Sequence, residues 1–528
     1  MKKYISKIIL LACGVMIPLA GCNTDTLQEL NINPQALNQI NMNFLFSAAQ
    51  LGAASGGSEG DNRYIDWRTN IGYCSYWMQH LANAGSGGLG AGDKYFENVE
   101  SDNAPWEFIF GGQLKNLNEV LKQTGEEGFE AGMRKNTREA ARILRAFLYM
   151  RLVDYYGNVP YTDALQGIEG VFLPTYTSGQ EIYADILKEL EEAGAAISAS
   201  NPDDGFASAD MYFKGDVTKW KKWANSLILR AAMRISMVDA GGAASFVNKA
   251  LSGAGVMTSN DDNVWVPMSE TPSLWVNQNG ISRAFFPGDG GQSRVMSKTL
   301  IDQLMGPNAG STADDDPRLM IFTEGVNGNT DPLAQEGMPN GLDAGTLDAY
   351  TGITGSNPAQ LFSVINMKLL DRSEPYLLMS YSEVELLLAE ASERSIGTVP
   401  GTAAAHYDAG VKAALQMYVP YDASFVVSDG AVATYLANNA YAGGAAGLAQ
   451  IGTQMWITKF LNWWEAWADY RRTGLPALVE INYPGNITGG KIPGRLRYPS
   501  HEVATNSANI AEGGTSPDNA TGKVFWDN

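Results

Sequence analysis

Cysteine and histidine are scarce in this chain, three of each in 528 residues. So few thiols cannot build a disulfide framework, and His80, His406 and His501 are scattered without metal-ligand spacing. Charge is sparse too, at 18% of residues, and lopsided: 37 Lys and Arg against 57 Asp and Glu leave a net −20. That sign repels phosphate backbones and anionic lipid heads, so nucleic acid is not an expected partner. What is plentiful is apolar and aromatic material, 45% and 10%, which excludes wholesale disorder. With 57 Gly and 22 Pro, much of the chain must be turns and loops, which argues against a plain helical bundle. The length allows about three ordinary domains or one large one.

The first 21 residues read as a secretory leader. Lys2, Lys3 and Lys7 precede an apolar stretch from Ile8 to Ala20, too short to span a bilayer. Leu19-Ala20-Gly21-Cys22 then resembles a bacterial lipobox, in which the Cys22 thiol takes a diacylglyceryl group. Several acyl chains hold an N-terminus on a membrane where one would be marginal. Loss of the leader removes three lysines and no acids, so 34 basic groups face 57 acidic ones. Cys74 becomes the only thiol besides the acylated one, and stability must come from a large core. Residues 22–43 are polar and suit a tether, leaving 44–528 as a single domain.

Helical periodicity marks most of that domain. Ala141, Leu144, Leu148 and Leu152 lie on one face of a run from Thr137 to Tyr155, which Gly157 and Pro160 stop. Ile182, Ile186, Leu190 and Ile197 do the same from Glu181 onward, and Trp220, Trp223, Leu227, Ala231 and Ile235 over 220–238. Helix, small-residue turn and helix recur near Ala243–Phe246 and Ala404–Tyr407, echoing tetratricopeptide-type hairpins that bury apolar faces by stacking. Between these halves, over about 255–375, periodicity collapses into Gly, Asn, Asp and Pro with isolated aromatics. A loop region this long is usually functional. The fold class expected is mostly α, helical hairpins supporting a large irregular insert.

Ordered motifs carry a more specific likeness. Asp154-Tyr155-Tyr156-Gly157-Asn158-Val159-Pro160-Tyr161, Lys214-Gly215-Asp216-Val217-Thr218-Lys219-Trp220 and Glu374-Pro375-Tyr376 onward to Ala391 are three of them. Glu465-Ala466-Trp467-Ala468-Asp469-Tyr470-Arg471-Arg472-Thr473-Gly474 and Arg497-Tyr498-Pro499 with Glu502 follow. In these the chain resembles the SusD/RagB family of surface nutrient-binding lipoproteins, on the SusD-like branch. The resemblance implies four tetratricopeptide-like hairpins beneath an irregular ligand-binding face, and an outer-membrane anchor. It also implies a SusC-like TonB-dependent transporter as partner, over which the binding protein acts as a hinged lid. The shared motifs read as scaffold: a helix-closing turn at Gly157, a helix-starting turn at Gly215-Asp216, and a C-terminal tie at Arg497–Glu502.

Sugars offer apolar C–H faces and hydroxyl rings, so a glycan site needs flat aromatics beside forked polar groups. Two regions supply that mixture: Asp61, Arg63 and Tyr64 with Trp67 and Trp77, and Trp265, Trp275 and Tyr350 followed by Arg372. Core packing is the competing account of each tryptophan, most strongly for Trp67 and Trp77 on a helix. Trp463, Trp464 and Trp467 cover too much of one helix to be a ligand stripe and are assigned to core or transporter contact. Gly85-Ser86-Gly87-Gly88-Leu89-Gly90 matches a dinucleotide fingerprint literally but follows no strand. No catalytic set, metal site or cofactor is expected. Calcium at Asn260–Asn263 or Asp314–Asp316 lacks EF-hand spacing. The function expected is oligosaccharide or polysaccharide capture without catalysis, with peptide capture, a secreted glycoside hydrolase or a purely structural transporter subunit as alternatives.

Overall fold

The computed structural model describes residues 40–55, 63–85, 87–271, 277–286, 288–308 and 310–527. The leader, Cys22, Asp61 and Trp275 lie outside them. No helix among the described residues is long and apolar enough to cross a membrane.

The chain enters through helix α1 (Met42–Ser55), which packs on α2 (Lys115–Gln123). Four helical pairs follow: α3 (Lys135–Tyr156) with α4 (Gly179–Ala196), and α5 (Val217–Ile235) with α6 (Ala240–Ala250). The later two are α7 (Tyr381–Glu393) with α8 (Ala403–Gln416), and α9 (Gly444–Thr458) with α10 (Trp463–Thr473). Each pair packs on the next, α4 on α5, α5 on α7 and α7 on α9, so the stack is continuous although about 130 residues separate its halves in sequence.

Local chemistry sets the helix ends. Ser178 and Glu181 form a reciprocal capping box at α4, and the Asp216 carboxylate accepts from the Thr218 and Lys219 amides at α5. Gly157 ends α3 at φ +80°, and any Cβ there would collide with the Thr515 side chain. The C-terminal segment is tied where expected: the Tyr498 hydroxyl donates to the Asn158 carbonyl (2.6 Å) and accepts from the Thr515 amide (2.7 Å). Glu502 accepts from Tyr176 (3.1 Å).

Buried ion pairs stitch the hairpins together. Arg230 of α5 forks onto Glu383 of α7 at 2.7 and 2.8 Å, and Arg472 of α10 onto Glu390 of α7 at 2.6 and 2.7 Å. Burial works against the Glu465 charge, yet Arg230, Arg234 and Lys459 outweigh it and hold that carboxyl below its usual range. Trp463, Trp464 and Trp467 are all buried.

The stretch 255–375 is more ordered than its sequence suggests. β1 (Val264–Val266) pairs antiparallel with β2 (Tyr376–Met379), and short helices occupy Gly280–Phe285, Lys298–Met305 and Ala344–Thr351. A small core of Ala82, Val295, Met338, Leu347, Phe362 and Val364 lies beneath. These elements are too short to show a period in the sequence, although Ile281, Ala284 and Phe285 of the first helix and Leu300, Ile301 and Leu304 of the second are buried.

Candidate functional site

Arg63, Tyr64, Trp67 and Arg68 crowd the start of a π-helical stretch, Asp66–Ser75, whose inner face packs on α10. All four side chains are half-buried. Facing them is the loop after Gly280–Phe285, which carries Phe286 and Asp289. That loop folds back tightly: a Cβ at Gly290 would meet the Ala284 backbone.

Asp289 is the hub. Arg63 pairs with it, Arg283 Nε lies 3.1 Å from its carboxylate and Arg372 Nη2 3.8 Å away. Three segments distant in sequence thus converge on one carboxylate. Around it, guanidinium and aromatic planes alternate. The Arg63 and Arg68 guanidinium carbons stand 4.7 and 4.0 Å from the Trp67 ring centroid, and that of Arg372 4.0 Å from Phe286. Tyr64 meets Trp67 edge-on at 6.4 Å and leans on Phe108 at 5.0 Å. Arg68 pairs with Glu100 at 2.6 Å, and Gln292 Nε2 donates to the Trp67 carbonyl at 2.9 Å. Burial and the Glu100 charge raise the Tyr64 phenol, which stays protonated and able to donate.

Donor capacity exceeds what the fold uses. Trp67 Nε1, Arg68 Nε and Arg372 Nε have no hydrogen-bond partner among the described residues. The same holds for buried donors elsewhere in the core, among them Trp77 Nε1, Trp223 Nε1 and Arg151 Nε, so it is the convergence of rings and guanidiniums that sets this patch apart. Flat rings beside forked donors suit a ligand rich in neutral oxygen acceptors. The larger clefts are elsewhere, among them one of about 640 Å³ lined by Met320, Glu324, Lys368 and Phe425.

The structure therefore brings Arg63, Tyr64, Trp67 and Arg372 together, from both regions singled out in the sequence. Trp77 is a correction: it is buried, stacked on Tyr73 at 4.5 Å and tilted against Trp467 at 4.8 Å, and so packs the core. Trp265 lies half-buried on β1, edge-on to Tyr421 at 5.5 Å. Tyr350 is exposed on the short helix Ala344–Thr351, beside Phe362 at 6.4 Å. Arg68, Arg283, Phe286 and Asp289 are additions that the sequence reading missed. The adjacency of arginine and aromatic residues in Arg63-Tyr64 and Arg283-Ala284-Phe285-Phe286 was the available signal.

Other candidates find ordinary places. His80 is a buried, hydrogen-bonded histidine: Trp463 Nε1 donates to its Nδ1 at 3.0 Å, and desolvation pushes its pKa down to about 3. Burial drives the Cys74 thiol up, away from reactivity. Asp316 forks with Arg318 and Asp262 pairs with Lys222, and no trio of His, Cys, Asp or Glu among the described residues is arranged to hold a metal. Of the glycine-rich stretch, Gly88 onward lies in a 3-10 turn, Gly88–Lys94, rather than at a strand-to-helix junction.

No curated protein matches the chain. Among solved structures, a chitin-binding protein is 32% identical, with a TM-score of 0.77 over 92% of this chain and 100% of its own. A SusD homologue from Parabacteroides distasonis is 24% identical, with a TM-score of 0.75 over 92% and 98%. A chitin-binding SusD homologue from Flavobacterium johnsoniae is 23% identical, with a TM-score of 0.73 over the same shares. The SusD-like family model described as "Starch-binding associating with outer membrane" matches residues 34–499, nearly the whole domain, and the chain belongs to that family.

Proposed function

We propose that this protein is a non-catalytic glycan receptor on the outer-membrane surface, anchored through acylated Cys22, that passes oligosaccharide to a SusC-like TonB-dependent transporter. The observation that carries the reading is the patch around Trp67, where guanidiniums and aromatic rings converge on Asp289. Guanidinium forks donate to ring hydroxyls and acetamido carbonyls, and half-buried rings cover sugar C–H faces. Asp289 holds arginines and Glu100 holds Arg68, so both carboxylates serve the scaffold of the patch rather than standing paired across a cleft as a hydrolase requires. The 32% identical chitin-binding protein makes chitooligosaccharides the first ligands to test.

Isothermal calorimetry across chitooligosaccharides and maltooligosaccharides is the deciding experiment. Saturable heat with either is expected, with no release of reducing ends on prolonged incubation. Binding of peptides and no glycan would replace this reading with peptide capture, and release of reducing ends would make the protein a hydrolase.

A further inference from the structure

The connection between α3 and α4 carries apolar residues into solvent. Between the paired strands Val159–Pro160 and Tyr176–Thr177 it exposes 95% of Ile168, 77% of Phe172 and 55% of Leu173. Scattered single exposures need no explanation, but three large ones within six residues do.

The loop is built, not slack. The Val171 amide donates to the Gln166 carbonyl (3.0 Å), Gln166 Nε2 to the Thr162 carbonyl (2.9 Å) and the Thr175 hydroxyl to Asp163 (2.5 Å). The Asn506 and Asn509 amides hold the Pro174 and Leu173 carbonyls, each at 3.0 Å. Leu165 sits at φ +63°, a left-handed conformation that a branched side chain adopts only under constraint. A pre-formed display of this kind loses little freedom on docking.

Its position and charge narrow the partner. Glu169 pairs with Lys122 at the end of α2, Arg138 donates to the neighbouring Leu121 carbonyl (2.6 Å), and Thr137 donates to Asn43 in the first turn of α1 (2.8 Å). The loop thus lies at the end of the fold where α1 begins. Phe44, also at this end, is 67% exposed. Lys122 and Glu169 neutralise each other, Asp163 lies in the loop itself, and the exposed Glu126 and Glu127 follow Lys122 in the chain, so the charge on this side of the loop is acidic. That charge disfavours anionic lipid heads and complements a basic rim around an apolar recess.

We infer that residues 163–174 form the docking loop for the outer-membrane transporter, with Ile168, Phe172 and Leu173 seated in an apolar recess of that protein. The inference rests on the reading above that such a transporter is the partner. The test is co-purification from detergent-solubilised cells that express the full lipidated chain with its genetically adjacent barrel. The triple variant Ile168→Ser/Phe172→Ser/Leu173→Ser should keep its melting temperature and glycan affinity, and lose about tenfold or more of its recovery with the barrel. Recovery of the triple variant at the wild-type level overturns the loop assignment and leaves the transporter reading standing. Failure of the wild type to co-purify removes the transporter reading and this inference with it. Sedimentation of a Cys22→Ser chain with phosphatidylcholine vesicles, abolished by the same triple change, assigns the loop to lipid and overturns the inference.

Discussion

Trp67 and Trp77 lie ten residues apart and illustrate how one residue type serves two ends. Trp67 is half-buried among arginines, while Trp77 is sealed between Tyr73 and Trp467. Trp67→Ala should therefore weaken glycan binding by about tenfold or more with little change in melting temperature. Trp77→Ala should cost about 3–5 kcal/mol of stability, measured by chemical denaturation, and leave affinity intact in the folded fraction. Reversed results would move the site. Sequence pattern alone did not separate the two, because both tryptophans sit in one aromatic-rich helical stretch and their exposure depends on where α10 docks. Asp66, beside them, makes a further prediction. It is buried, accepts from Tyr376 (2.8 Å) and Asn70 (3.0 Å), and leaves its second oxygen without a partner, so burial pushes its pKa up to about 7. The raised value means the folded state prefers the proton. Its contribution is complete below the unfolded pKa of about 4 and is lost as pH rises toward 7, an effect of about 4 kcal/mol. Asp66→Asn should stay neutral throughout, so its stability should gain on the wild type across that window. Parallel stability curves would show that Asp66 ionises normally in the fold.

At the scale of elements, long amphipathic helices were the legible part. The 3.6-residue pattern of Leu144, Leu148 and Leu152, and of Ile182, Ile186 and Leu190, reappears as the buried faces of α3 and α4. The helix start at Gly215-Asp216 was legible in a local motif, whereas the equally local capping box of Ser178 and Glu181 was missed. Pairings between hairpins were not legible, since Arg230 and Glu383 stand 153 residues apart and resemble surface charges in sequence. They nonetheless join α5 to α7. Glu383→Gln would leave the Arg230 guanidinium buried with less than its full charge compensation, at a cost of about 3–5 kcal/mol. Arg230→Met combined with Glu383→Leu should recover most of that loss. Denaturant titration of the two variants decides it, and equal destabilisation in both would mean that packing volume, not charge, governs this contact.

For the molecule as a whole, the charge balance acts on ligands before any side chain touches them. The net −20 sets a repulsive field for polyanions at low salt. Within the patch around Trp67, Arg63, Arg68, Arg283 and Arg372 stand over Asp289 and Glu100, with Glu107 and Asp371 close by, so the acidic field is locally balanced. These guanidiniums are already engaged with the two carboxylates and with ring faces, so what they offer a ligand is directed N–H groups more than free charge. A neutral oligosaccharide then gains hydrogen bonds without a Coulombic term, and its affinity should change by less than about twofold between low and physiological ionic strength. A sulfated or uronate-rich glycan must cross the acidic field to reach the same donors, so added salt should help its association rather than hinder it. Calorimetry of a chitooligosaccharide and a sulfated glycan over a salt series separates the two behaviours. Tight sulfated-glycan binding that weakens as salt rises would mean that the arginine patch, not the acidic surface, governs approach, and would turn the expected preference from neutral to anionic sugars.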